Sequence, residues 1–361
     1  MSNFNLPCRC GTCKCEMKDV EHEEVARVFI SQNKRKQKKY ILIMASEEHA
    51  VNTDESDDEE EEKMDDGEEV PMEFAEDEVD IDLTHCRIRK IENLEHLTAV
   101  EVLCFRNNLI KKIENLHSLT TLRELELYDN QITKLENLDV LVNLEILDVS
   151  FNRIAKIENL DNLLNLRKLF LINNKITKIE NVNHLENLEM LELGSNRIRV
   201  IENLEGLKNL TNLFLGKNKI SKLQNLEALE NLELLSLQSN RITKIEGLDH
   251  SLKLEHLYLS HNGISELEGF QNNVKLQTLD LTGNRIKKIS NVDHLVDLEE
   301  FWFNDNEITS WESAEVLKNF KKLETVYLEH NPIAEDPMYR RKIKLIVPWI
   351  KQIDATMAQG N

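Results

Sequence analysis

The sequence predicts an α/β solenoid, a horseshoe of about twelve 22-residue repeats with a parallel sheet on its concave face and a helical cap at the C-terminus. Three observations predict it. LEILDVSFN at 144–152 returns at 22-residue steps as LRKLFLINN, LEMLELGSN, LTNLFLGKN, LELLSLQSN, LEHLYLSHN, LQTLDLTGN and LEEFWFNDN, and stepping back gives LRELELYDN and VEVLCFRNN. Eleven asparagines close these units, from Asn108 through Asn196 to Asn306 and Asn331. The third observation is internal: the L-x-L core has period two, the signature of a strand with one buried face. One unit cannot bury its own leucines, so stacked units must share a continuous core.

The unit reads L-x-x-L-x-L-x-x-N-x-I-x-x-I-E-N-L-x-x-L, the leucine-rich repeat. Its asparagine sits where the strand ends and offers its amide to backbone groups left unpaired by the bend. Ile154, Ile157, Leu160 and Leu163 follow at steps of three, which predicts a 3₁₀-like or helical return.

In chain order, residues 1–44 form an extension of unassigned role, expected to be disordered, and Met44-Ala45-Ser46-Glu47-Glu48 at its end looks like a natural start just before the acidic tract. Cys8, Cys10, Cys13 and Cys15 are its only candidate metal ligands. Their C-x-C-x2-C-x-C spacing lacks the long spacer of structural zinc sites, so no metal is expected. Lys34-Arg35-Lys36 with Lys38-Lys39 reads as an import signal or a solvated basic run.

Residues 45–76 form an acidic tract with twelve carboxylates in the sixteen positions 54–69. Such a segment repels itself and has little to bury, so a solvated tail is expected, with Ser56 as a site for an acid-directed kinase. The repeats fill 77–331, the first degenerate, with Cys86 in place of its asparagine. The last copy, LETVYLEHN, arrives three residues late, and residues 332–361 form the cap. There Asp336-Pro337 predicts a helix start, with Tyr339, Ile343, Ile346 and Val347 on one apolar face and Pro348 as the stop.

Charge and composition exclude several functions. The chain carries a formal −21, made up of +4 in 1–44, −18 in 45–80 and −7 in 81–361, so nucleic acid is not expected as a partner. The longest apolar run, Tyr40–Ala45, is too short to span a bilayer. The cysteine pattern suggests a reducing compartment, cytosol or nucleus. No phosphate loop, H-E-x-x-H or nucleophile elbow is present, so neither an enzyme nor a cofactor is expected.

The middle residues of L-x-L form a ladder on the inner arc: Cys104, Glu126, Asp148, Phe170, Glu192, Phe214, Ser236, Tyr258, Asp280, Trp302 and Tyr327. Five are aromatic, against 19 aromatics in all 361 residues; four are acidic and none is basic. Flanking rungs add Tyr128, Ile146, Met190, Leu234, Glu300 and Glu329. Exposed aromatics ringed by acids on a concave face predict a protein interface whose partner is basic at the contact.

The recurrent I-E-N-L, as at 91–94, 113–116, 157–160 and 201–204, resembles the leucine-rich-repeat regulatory subunits of protein phosphatase type 1. So do the cap elements Asn-Pro, Pro-x-Tyr-Arg-Arg and Gln-Ile-Asp-Ala-Thr. The resemblance covers 77–361. It implies a non-enzymatic protein that holds the phosphatase catalytic subunit in its concave face and controls its activity, assembly or targeting in the nucleus and in mitosis, with a further inhibitor subunit in a ternary complex left open. It also implies residence in the nucleus and the cytoplasm, with Asp148, Phe170, Glu192, Phe214, Asp280, Glu300, Trp302 and Tyr327 as the contacts. Arg27-Val28-Phe29-Ile30 comes nearest to a short phosphatase-docking segment, but its spacing is wrong. The alternative is another intracellular scaffold of the same repeat class, spliceosomal, ciliary or tubulin-related.

Overall fold

The computed structural model describes residues 74–358. The extension with its four cysteines and basic run, and the acidic tract up to residue 73, lie outside the described residues. Twelve three-residue strands, one per repeat, run from β1 (Asp80–Asp82) to β12 (Thr325–Tyr327) in one parallel sheet in sequence order. In β4 (Ile146–Asp148) Leu147 lies opposite Leu125 and Leu169, while Asp148 lies opposite Glu126 and Phe170. Equivalent positions therefore stack, and Leu144, Leu147, Val149, Ile154, Ile157, Leu160 and Leu163 are all fully buried.

The asparagine ladder fixes the exit from each strand. Asn152 Oδ1 accepts the Ile132 N–H at 2.8 Å, and its Nδ2 donates to the carbonyls of Leu127, Val149 and Ser150 at 2.9–3.2 Å. Each side chain thus joins two neighbouring repeats through groups that neither could satisfy alone.

A second ladder lies in the I-E-N-L segment. Asn159 has φ +58°, and its Nδ2 donates to the Leu135 carbonyl at 2.6 Å. The same geometry recurs at Asn115, Asn137, Asn181, Asn203 and Asn225. The left-handed region tolerates Asn and Gly best, and Gly247 and Gly269 stand at this position with φ +72° and +77°. At Gly269 a Cβ would meet the Ile245 carbonyl oxygen at 2.0 Å, so the backbones there approach too closely for a side chain.

The returns are single turns rather than helices. Leu141 and Leu144 donate to the carbonyls three residues back, each at 3.0 Å, but the left-handed asparagine prevents a longer helix. Among the described residues, helix is confined to two places. One is the return of the last 25-residue repeat, with α1 (Trp311–Ala314) and a 3₁₀ turn at Glu315–Asn319, which accounts for the late final copy. The other is the cap.

The cap differs from expectation in where its helix starts. Asn331-Pro332 opens a 3₁₀ turn, Pro332–Glu335, and α2 runs Tyr339–Ile346 with Met338 before it. Asp336 is not its N-cap. Its carboxylate instead accepts the Met338 N–H at 2.8 Å, the Trp311 indole N–H at 3.0 Å and Lys342 Nζ at 2.5 Å. These bonds, that to Lys342 first, hold its carboxyl below the usual range. Tyr339, Ile343 and Val347 are buried and Ile346 half-buried. Beyond Pro348, β13 (Gln352–Ile353) adds parallel to β12, and β14 (Thr356–Met357) closes the sheet as a hairpin. Asp354 locks this end, with Oδ1 accepting the Leu328 and Glu329 N–H groups and the Tyr339 hydroxyl at 2.9–3.0 Å.

Candidate functional site

Each three-residue strand turns its middle residue, leucine in nine of the twelve and otherwise Ile81, Phe301 or Val326, into the core and its first and third residues onto the inner arc. The third residues are the ladder of acids and aromatics; the first residues form a neighbouring column. Seven of the eight expected contacts, from Asp148 to Tyr327, stand in the ladder, and Glu300 stands beside it at the head of β11 (Glu300–Trp302). The structure therefore brings all eight onto one face.

Their exposure is not as expected. Asp148, Glu192, Phe214, Asp280 and Glu300 are buried, and Phe170, Trp302 and Tyr327 are half-buried. Strands in a sheet lie ~4.8 Å apart, so each inner side chain is flanked on both sides by its counterparts in adjoining repeats. A face of long side chains at that spacing shields itself.

The acids have local work to do. Asp148 Oδ1 accepts the Ser150 N–H at 2.9 Å, Glu192 Oε1 the Gly194 N–H at 3.2 Å, and Asp280 Oδ1 the Thr282 N–H at 3.0 Å. Each carboxyl satisfies the amide two residues on, at the end of its strand. Gly194 makes room for this, since a Cβ there would lie 2.9 Å from Glu192 Oε1. Burial nevertheless pushes Asp148 and Asp280 above the ordinary carboxylate range. It lifts Glu192 to about 8, with Asp148 adding to the shift and the Gly194 N–H opposing it. At Glu192 the formal charge is therefore largely suppressed near neutral pH in the free chain.

A cation stands at the N-terminal end of the arc. Arg106 donates to Glu126 at 2.6 and 2.8 Å, lies 3.6 Å from Asp148, and covers the Tyr128 ring at 5.4 Å. Burial is the largest single influence and works against the guanidinium charge, but the Glu126 hydrogen bonds together with the negative charges of Glu126 and Asp148 outweigh it and hold the group above its usual range. Glu124 rises to about 7 through burial and the neighbouring Glu126 carboxylate.

The C-terminal end is aromatic. Trp302 and Tyr327 pack at 5.5 Å between ring centroids, and Gln352 Nε2 donates to the Tyr327 hydroxyl at 2.7 Å. Burial pushes Tyr258 and Tyr327 upward, so both hydroxyls keep their protons. The Trp302 indole N–H is covered and meets no acceptor among the described residues. A buried donor left unpaired costs about 1–3 kcal/mol.

Comparison with known proteins follows the same lines. The family pattern "Leucine Rich repeats (2 copies)" matches residues 98–141, 120–162, 142–184, 186–228 and 208–250, and "Leucine-rich repeat" matches 235–358. The chain belongs to the leucine-rich-repeat family. An internalin from Listeria monocytogenes superposes with TM-score 0.60 at 24% identity, covering 75% of this chain and 84% of that one. A leucine-rich-repeat protein from Leptospira interrogans does so with TM-score 0.64 at 23% identity, covering 72% and 73%. These likenesses establish the fold alone. Sequence similarity is more specific. Protein phosphatase 1 regulatory subunit 7 of Danio rerio is 61% identical over 46 residues, 13% of either chain, and that of Homo sapiens 52% identical over 50 residues, 14% of either. The matched stretch thus spans about one seventh of these curated relatives.

Arg106, Glu124 and Lys168 are inner-arc residues that the ladder of middle L-x-L positions did not include. The same 22-residue stepping, begun two residues before or after that position, would have found them. Among the described residues no group of His, Cys, Asp and Glu is placed to hold a metal ion, and no helix is long and apolar enough to cross a membrane.

Proposed function

We propose that this chain is a non-catalytic regulatory subunit that binds the catalytic subunit of protein phosphatase type 1 through its inner arc and controls its activity, assembly or nuclear and mitotic targeting. The observation that carries the reading is the aromatic end of the arc. Trp302 and Tyr327 keep partial exposure on a concave face, as Phe170 does farther along the arc, and the Trp302 N–H has no acceptor among the described residues. Rigid aromatics in a concavity, bordered by acids, have the composition of an interface centre. The identity shared with the phosphatase regulatory subunits points to which partner fills it.

The acids fit the same reading in a modified form. A carboxyl raised to about 8 in the free chain, as at Glu192, ionises when a partner's Lys or Arg approaches, so docking would release protons. Calorimetric titration of the full chain with the catalytic subunit, in two buffers of different ionisation enthalpy, tests both parts. Saturable binding with proton release is expected. Absence of binding removes the reading, and binding without proton release removes the role given to the acids.

A further inference from the structure

The turn that follows each ladder asparagine carries a second ordered array. Arg153, Lys175, Arg197, Lys219 and Arg241 each donate their backbone N–H to an isoleucine carbonyl of the preceding repeat, at Ile132, Ile154, Ile176, Ile198 and Ile220, all at 2.8 Å. These bonds hold the five residues in register along the solenoid, one strand spacing of ~4.8 Å apart. All five are cationic, and the equivalent positions on either side are Gln131 and Gly263. Four are exposed and Lys219 is half-buried.

Their surroundings leave the charge unneutralised. The segments 150–157, 172–179, 194–201, 216–223 and 238–245 contain no Asp or Glu, while Arg199 and Lys217 add further cations. Three acids of the outer turns pair with lysines of a different column: Glu158 with Lys156 at 3.6 Å, Glu246 with Lys222 at 3.8 Å and Glu268 with Lys244 at 3.6 Å. Among the described residues, the five ladder cations form no ion pair. A chain of net −21 thus keeps one narrow, periodic basic strip free of counter-charge. The low net charge of the repeats conceals a clustered face that averaging along the sequence does not reveal.

We propose that this strip is a docking surface for an extended, Asp/Glu-rich segment of a partner protein, laid along the solenoid axis. Five rungs span ~19 Å, the length of about six residues of extended chain. Long, flexible Arg and Lys side chains can meet carboxylates carried at that pitch. A single nucleic-acid strand would also seek aromatic platforms for its bases. The residues preceding the ladder asparagines include Asn173, Ser195, Lys217 and Ser239, and the one aromatic among these five positions, Phe151, is packed on Tyr128 at 4.8 Å. The chemistry therefore favours an acidic peptide. None of the five residues belongs to a strand of the inner arc, so the proposal stands independently of the phosphatase reading.

The test is fluorescence anisotropy of a labelled peptide of about twelve alternating Asp and Glu residues against the full chain. The wild type is expected to bind, more weakly as salt rises. The triple variant Lys175→Glu, Arg197→Glu, Lys219→Glu should bind at least roughly tenfold more weakly, and its Gln counterpart, which avoids charge reversal, should be intermediate. Arg123→Glu with Arg167→Glu, cations already engaged by Glu145 and Glu189, should change binding by less than about twofold. No binding by the wild type, or equal binding by both triple variants and the wild type, overturns the proposal. It is also overturned if single-stranded RNA of equal length binds through these residues more tightly than the peptide.

Discussion

The two ends of the inner arc are built on one backbone and handle polarity in opposite ways. At the N-terminal end Arg106 gathers Glu126 and Asp148 into a closed network whose charges are answered from within the chain. At the C-terminal end Trp302 and Tyr327 present packed rings, and the indole N–H is left unanswered. A self-satisfied network contributes to stability and has little left to give a partner. An aromatic pair with a covered, unused donor costs the free chain something, and its half-buried rings offer a partner contact area.

The largest expected effect breaks the first end. Arg106→Ala should destabilise the chain by about 2–3 kcal/mol, because it leaves two carboxyls without their cation. That lies below the ~3–5 kcal/mol of a fully buried pair, since the Arg106 side chain is 17% exposed. Urea melts measure it, and a loss under about 1 kcal/mol would mean that the network adds little.

Breaking the other end should spare folding and damage binding. Trp302→Ala is expected to weaken binding to the phosphatase catalytic subunit by about 2 kcal/mol or more, with stability within about 1 kcal/mol of wild type. Phe170→Ala, away from the aromatic pair, should lose less. Titration calorimetry beside melting curves separates the two variables, and equal losses for both variants would erase the contrast between the ends.

Glu192 sharpens the comparison through pH. Its carboxyl is raised by burial to about 8 in the folded chain. The stability associated with the protonated form is therefore complete below the ordinary value near 4.5 and lost as pH climbs through about 8. Glu192→Gln keeps the neutral shape and can still accept the Gly194 N–H. Variant and wild type should melt alike near about pH 5, and the variant should melt higher above about pH 8. A difference independent of pH would show that the carboxylate is not being ionised against its burial.

The smallest effect is a control on the convex side. Lys156 pairs with Glu158 at 3.6 Å on an exposed turn, so Lys156→Ala should alter stability by no more than about 0.5 kcal/mol and leave phosphatase affinity unchanged. A loss of affinity comparable to that of Trp302→Ala would move the interface off the inner arc.

Periodicity made most of the fold legible, because every repeat restates the same instruction. The strands, the leucine core and the Asn152-type ladder all follow from a 22-residue pattern read once. The left-handed asparagines were equally legible in principle, through their exchange with Gly247 and Gly269 at one repeat position. The cap helix was less so. Asp336-Pro337 has the composition of a helix start, but Trp311 and Lys342 compete for that carboxylate and the helix opens two residues after the proline.

By itself the sequence determined the repeat, its register and the identity of every side chain on the inner arc, since those depend only on position within the period. Tertiary structure decided what those side chains experience. Asp148 is buried because Glu126 and Phe170, each 22 residues away, stand against it; Arg106 is paired because Glu126 is 20 residues on; Trp302 stands between Asp280 and Tyr327, and its indole N–H is covered there without an acceptor among the described residues. Burial, pairing and the suppressed charge of the acids are properties of neighbours across the stack, and a single repeat does not contain them.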